Sequence, residues 1–188
     1  MKRILTIAAM LLTAVVAVSC SGDDEGGSAA NEAKAVQGSS GTVIGITDTG
    51  SFNEGSAFMY KSAQTLYFLL CEGSARSWSE GLKLPHLEIH IWESYVGSDP
   101  SALTNPDNAI DINGSGKKVY VCWKAGNGHR FFDKNNYAVA DGNYKFESGS
   151  LSVSKLMGMY TIAFSGMCAD EKGAYSPGWS YSGQFKGM

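Results

Sequence analysis

The chain has 188 residues, with 15 basic and 18 acidic side chains, a net charge of −3 at pH 7 and 44% hydrophobic residues. That is enough for a domain with a real core. It lacks the clustered Lys and Arg that a phosphate backbone requires, so nucleic-acid binding is excluded as an expectation.

The first segment has a basic start, Lys2 and Arg3, followed by fifteen uncharged, largely apolar residues at 4–18. This is the layout of a secretory signal peptide. The stretch is shorter than the roughly 20 apolar residues of a membrane-spanning helix. The charges that follow, Asp23, Asp24 and Glu25, have the wrong sign for a stop-transfer flank. The seam, "AVSC" at 17–20, resembles the lipobox of bacterial lipoproteins, with Ala17 where Leu is commonest. The resemblance implies cleavage before Cys20 and attachment of diacylglycerol to its thiol, with a further acyl chain such as palmitate on the new amine. Two or three chains, at about 0.8 kcal/mol per buried methylene, anchor stably where one does not. The alternative is an unmodified cysteine beside an ordinary cleavage site.

The next residues, "SGDDEGG" at 21–27, resemble the acidic export tag of Bacteroidota surface lipoproteins. The implied location is the outer membrane, with the chain lipid-anchored on the extracellular face. The alternative is the periplasmic face. Removal of residues 1–19 takes away two cations and no anions, so the net charge goes from −3 to −5, and three of the acids belong to the tag. Residues 20–41 are rich in Gly, Ser, Ala and charge and bury little, so they read as a flexible tether. Residues 42–188 then form the single folded domain.

From there the periodicity is that of strands, with little helical patterning. "GTVIGI" (41–46) is a short first strand, and "QTLYFLLCE" (64–72) is a nearly continuous apolar run, as in a strand covered on both faces. Trp78 falls in "GSARSWSEGLKLP", which reads as a long polar connection. "HLEIHIWES" (86–94) alternates, with Leu87, Ile89 and Ile91 on one face and His86, Glu88, His90 and Trp92 on the other. One helical turn is expected at 99–103, where Asp99 precedes Pro100. "KKVYVCWKA" (117–125) places Val119, Val121 and Trp123 together.

"YAVADGNYKFE" (137–147) carries Asp141-Gly142 between alternating runs, a strong hairpin signal. Strands at 149–156, 158–168 and 179–187 follow. The ending "GSLSVSKLMGMYTIAFSGMCADEKGAYSPGWSYSGQF" resembles the C-terminal antiparallel meander of small Bacteroidota lipoproteins whose function is unassigned. The matching positions are Gly149, Gly158, Tyr160, Ile162, Phe164, Tyr181 and Gly183, and the resemblance carries no catalytic residue. The expected fold is all-β, an antiparallel β-sandwich of about eight strands. The alternative is a closed, lipocalin-like barrel.

Candidate chemistry is sparse. His86, Glu88 and His90 share a strand face about 6–7 Å apart and offer the nitrogen and oxygen ligands that zinc takes. The competing reading is a solvated polar face. Asp107, Asp111 and Asn113 offer calcium-type oxygens in a loop that departs from the EF-hand spacing and also reads as plain turns. The loop "AGNGHRFFDKNN" (125–136) sets His129, Arg130, Phe131 and Phe132 between glycines and asparagines. Trp78, Trp92, Arg130 and Phe131 are the candidate contacts for a ligand, with a glycan the leading class because exposed aromatic rings stack on sugars. The competing reading is that the second sheet or a loop covers the tryptophans and that the Phe131–Phe132 pair plugs the open end of the sandwich.

Cys71, Cys122 and Cys168 each lie in a strand-like run and read as buried thiols rather than a disulfide plus one. No cofactor is expected, with zinc and calcium the only candidate ions. No motif of nucleophilic or phosphate chemistry appears, so a non-catalytic binding module is preferred over a small metal-dependent or hydrolytic enzyme. A carrier of hydrophobic ligands is the reading that would accompany a barrel.

Overall fold

The computed structural model describes residues 35–38, 41–96, 109–111, 119–132 and 145–185, with the backbone alone at 109–111. Among the described residues thirteen strands form two antiparallel sheets, one of six strands and one of seven. They are β1 (Val36–Gln37), β2 (Ile44–Thr47), β3 (Gly50–Phe52), β4 (Gly55–Ser62), β5 (Thr65–Glu72), β6 (His86–Trp92) and β7 (Ala109–Asp111). After these come β8 (Val119–Lys124), β9 (Arg130–Phe132), β10 (Phe146–Leu156), β11 (Met159–Asp170), β12 (Gly173–Tyr175) and β13 (Gly178–Gln184). One helix, α1 (Trp78–Lys83), and a 3-10 turn at Glu93–Tyr95 complete the described elements.

The first sheet runs β1-β4-β5-β6-β8-β9, and the second runs β3-β2-β13-β11-β10-β7 with β12 on β11. Both sheets are open, so the fold is an all-β sandwich and the closed-barrel alternative is overturned. Alternation decides which face each strand buries. In β6, Leu87, Ile89 and Ile91 have no exposed surface and enter the inter-sheet core. In β11, Tyr160, Ile162 and Phe164 are buried and alternate with the exposed Met159, Thr161 and Ala163. The two inner faces meet through ring contacts such as Phe68 with Tyr160 and Phe131 with Phe146.

Several elements differ from the sequence expectation. Val36–Gln37, in the segment expected as tether, pairs with Met59 and Phe58 of β4, and Gly38 bridges Phe185. β4 and the short strands β3, β9 and β12 had no counterpart in the expectation. The connection holding Trp78 contains α1, with Ser77 as its N-cap accepting from the Glu80 N–H. The loop at 125–136 contains β9, in which Trp123 faces Phe131 across the β8–β9 pair. The expected helical turn at 99–103, the Asp141-Gly142 turn, and Cys20 with its flanking segments lie outside the described residues.

The β10–β11 hairpin closes through Met157 and Gly158, at φ 48° and 79°, with Leu156 paired to Met159. Both central residues are thus left-handed, as a two-residue primed turn requires. Among the described residues no helix is long and apolar enough to cross a membrane.

Candidate functional site

Two places gather polar and titratable side chains. The first is the outer face of the six-stranded sheet, where register aligns residues in rows. One row is aromatic: Tyr60 opposes Tyr67, Tyr67 opposes His90, and His90 opposes Tyr120. Tyr60 and Tyr67 stack at 4.3 Å with planes 7° apart, and His90 lies 4.5 Å from each of Tyr67 and Tyr120. Phe132 continues the line at 6.1 Å from Tyr120. The row thus spans β4, β5, β6, β8 and β9, and Tyr67 and His90 within it are half-buried. Cross-strand pairs of this kind stabilise a sheet. Of these rings Tyr67 and His90 reach the surface, while Tyr60, Tyr120 and Phe132 are buried beside them.

The adjoining positions are charged. Glu88 sits between His86 and His90, and its Oε1 lies 2.6 Å from His90 Nε2, with both side chains mostly buried. Burial pushes the Glu88 carboxyl up. The His90 hydrogen bond and the positive charge of His90, His86 and Arg130 outweigh that, and the carboxyl is held below its ordinary value. His86 has no exposed surface, and its Nδ1 meets the Leu84 carbonyl at 2.9 Å. Burial drives its imidazole down to about 4. The Glu88 charge and the Leu84 hydrogen bond oppose that fall, while Arg130 and Lys124 add to it. The predicted trio therefore splits. Glu88 and His90 meet, while His86 turns to the Leu84 carbonyl, and the three are not a group whose ligand atoms converge.

α1 covers the adjoining β4–β5 part of this outer face. Trp78 packs edge-on against Tyr60 at 5.0 Å, and Phe58, Leu69 and Cys71 lie beneath the helix. A Cβ on Gly81 would come within 2.8 Å of Leu69 Cδ2, so this glycine sets the closeness of helix to sheet. Lys124 Nζ donates to the carbonyls of Leu82 and Lys83 and closes the C-terminal end.

The four predicted ligand contacts do not form one patch. Trp78 is only 5% exposed and Phe131 has no exposed surface, because the former seats α1 and the latter stacks on Trp123 at 5.2 Å inside the sandwich. Neither ring can face a ligand, so both follow the competing reading in which they are covered. Trp92 and Arg130 are half-buried, at different ends of the same outer face. None of Cys71, Cys122 and Cys168 is in a disulfide, and all three are buried. Burial raises Cys71 to about 11, and burial with nearby acids raises Cys168 to about 12. Both are inert as nucleophiles at neutral pH.

The second place is one end of the sandwich, where three turns meet. Asp48, in the β2–β3 turn, accepts the backbone N–H groups of Gly126 and Asn127 at 2.7 and 2.9 Å. Asn127 Oδ1 accepts the His129 N–H, and Asn127 Nδ2 donates to the Tyr175 hydroxyl. His129 Nδ1 is hydrogen-bonded to Asp170 Oδ2, and His129 Nε2 lies 3.2 Å from Glu171 Oε1. Asp170 Oδ1 also accepts from the N–H groups of Lys172 and Gly173. Burial pushes the Asp170 carboxyl up, but its four hydrogen-bond partners, Lys172, His129, Tyr175 and Gly173, outweigh that and hold it below the ordinary value.

Among the described residues, His129, Asp170 and Glu171 are the group of three whose ligand atoms all lie within 4.8 Å of one another. Asp48, Asp170, Glu171 and Tyr175 escaped the sequence reading because adjacent acids in a Gly-containing turn are ordinary turn formers. Only the meeting of turns 41 to 79 residues apart sets them beside His129. No protein-family model matches the chain, and neither curated proteins nor solved structures yield a match.

Proposed function

We propose that the chain is a surface lipoprotein, anchored in the outer membrane through acylated Cys20 and facing the cell exterior. Its non-catalytic β-sandwich binds a ligand, with a glycan the favoured class, on the outer face of the six-stranded sheet. The observation that carries the binding reading is the in-register row Tyr60–Tyr67–His90–Tyr120, flanked by the Glu88–His90 pair. The half-buried rings of Tyr67 and His90, backed by the buried Tyr60 and Tyr120, offer flat apolar surface to a sugar face, and the Glu88 carboxylate beside an imidazole offers hydroxyl-directed hydrogen bonds. Trp92 and Arg130 extend the same face, whereas Trp78 and Phe131 belong to the scaffold. The Cys20 junction, with its apolar run before and acids after, supports the address.

Tryptophan-fluorescence titration with a panel of polysaccharides tests the binding reading. Tyr67→Ala is expected to weaken any binding about tenfold, or about 1.4 kcal/mol. A flat response to every glycan would leave only a protein partner for this face. The address is tested separately: Cys20→Ala should move the protein from the membrane fraction to the soluble one, and continued retention would refute acylation.

A further inference from the structure

The turn cluster at the end of the sandwich is built more rigidly than an ion pair between surface side chains needs. The Asp170 side chain has no exposed surface, and its oxygens are occupied by two backbone N–H groups, the Tyr175 hydroxyl and the His129 ring. It is thereby fixed as the acceptor that sets the His129 tautomer, with hydrogen on Nδ1. The backbone of His129 is fixed through Asn127, which Asp48 holds in turn. The ring is thus oriented by groups from three turns, and its other nitrogen, Nε2, is directed at the 62%-exposed Glu171. Carboxylate–histidine pairs of this kind orient a ligating imidazole and raise its basicity.

We propose that this cluster is a divalent-cation site of the zinc class. His129 Nε2 and the Glu171 carboxylate are its protein ligands, Asp170 positions the imidazole, and solvent completes the coordination. The ligand atoms of a tetrahedral zinc, at about 2.0–2.2 Å from the metal, lie roughly 3.3–3.6 Å from one another. The 3.2 Å between His129 Nε2 and Glu171 Oε1 needs only a small opening to become such an edge, and the exposed Glu171 side chain can supply it. The donor set selects the ion: one imidazole nitrogen with one carboxylate suits zinc and its neighbours, whereas calcium and magnesium take oxygen ligands. With two protein ligands the site is coordinatively open, so it can accept a further donor from a partner molecule. It lies apart from the aromatic row and does not depend on the proposed glycan binding.

Detergent-purified full chain, stripped with a chelator, is titrated with zinc against a chromophoric chelator, and with cobalt(II) followed by visible absorption. One equivalent of zinc per chain is expected, with a tetrahedral cobalt spectrum. Glu171→Gln and His129→Gln should each weaken zinc at least tenfold and abolish the cobalt spectrum, while His90→Gln leaves both unchanged. Asp170→Asn should weaken zinc roughly 10–100-fold, with the cobalt band shifted rather than lost. Absence of stoichiometric binding overturns the site. So does binding that survives both the His129 and Glu171 variants. A lowered Tm in Glu171→Gln without zinc binding by the unaltered chain would make the cluster a structural latch and also overturn the proposal.

Discussion

His86 shows how one buried side chain sets the acid response of the fold. Its imidazole titrates near 4 in the folded chain, against 6.5 ordinarily. Above pH 6.5 it is neutral in both states and has no effect. Between 6.5 and 4 the unfolded chain takes up a proton that the folded chain refuses, so stability falls with falling pH, by up to about 3 kcal/mol. Glu88 acts in a lower window: its depressed carboxyl contributes stability that is present above the ordinary value of 4.5 and is lost as the pH falls through the folded value. Urea unfolding at pH 7 and pH 4.5 should show the decline, and His86→Phe should flatten most of it. An unchanged slope in that variant would remove His86 as the cause.

The polar side of β6 was legible from period-two alternation alone. That His86 is sealed while His90 stays half-open is not legible there, because it depends on how His86 packs, with its Nδ1 on the Leu84 carbonyl. Phe131 makes the same point. Its neighbours gave it the look of a loop-tip contact, and its place against Trp123 makes it core. Phe131→Ala should cost about 3–5 kcal/mol by chemical denaturation, far more than an exposed contact would.

At the scale of elements, local chemistry explains what was missed. Ser77 and Glu80 have the Ser-x-x-Glu spacing of a helix start, but Gly81 and the shortness of the segment masked it. Ser77→Ala is expected to cost about 1 kcal/mol, read as a lowered urea midpoint. β4 was overlooked because its apolar stretch begins with small residues and has no flanking turn signal as clear as Asn-Gly. In the β10–β11 turn, Met157 is 92% exposed at φ 48°, a backbone region where Asn is far easier to place than a long unbranched side chain. Met157→Asn should therefore raise stability by roughly 0.5–1 kcal/mol without altering the hairpin register.

Across the whole molecule, the sandwich was readable because strand periodicity and Gly-rich turns recur along most of the chain. The grouping of turns around His129 was not, because it depends on how two sheets stack. The start of the folded part also lies earlier than composition indicated. Val36 packs against the core, Gln37 Nε2 donates to the Ala75 carbonyl, and the Gly38 N–H donates to that of Ala57. A chain beginning at Ala35 should match the full chain in thermal unfolding. One beginning at Thr42 should be less stable by about 2 kcal/mol, at about 1 kcal/mol per hydrogen bond lost. Equal stability of the two would show that β1 contributes nothing.

The position of β1 also has a mechanical meaning. Any pull arriving from the N-terminal side reaches this two-residue edge strand before it reaches the rest of the sandwich. Its few hydrogen bonds yield one after another, whereas the strands behind it share a common core. Peeling the chain from Ala35 up to Val43 would pay out roughly 25 Å at about 3.3 Å per residue and leave the remaining ladders intact. Under such tension β1 would serve as a slip joint, giving slack before the load reaches the aromatic face.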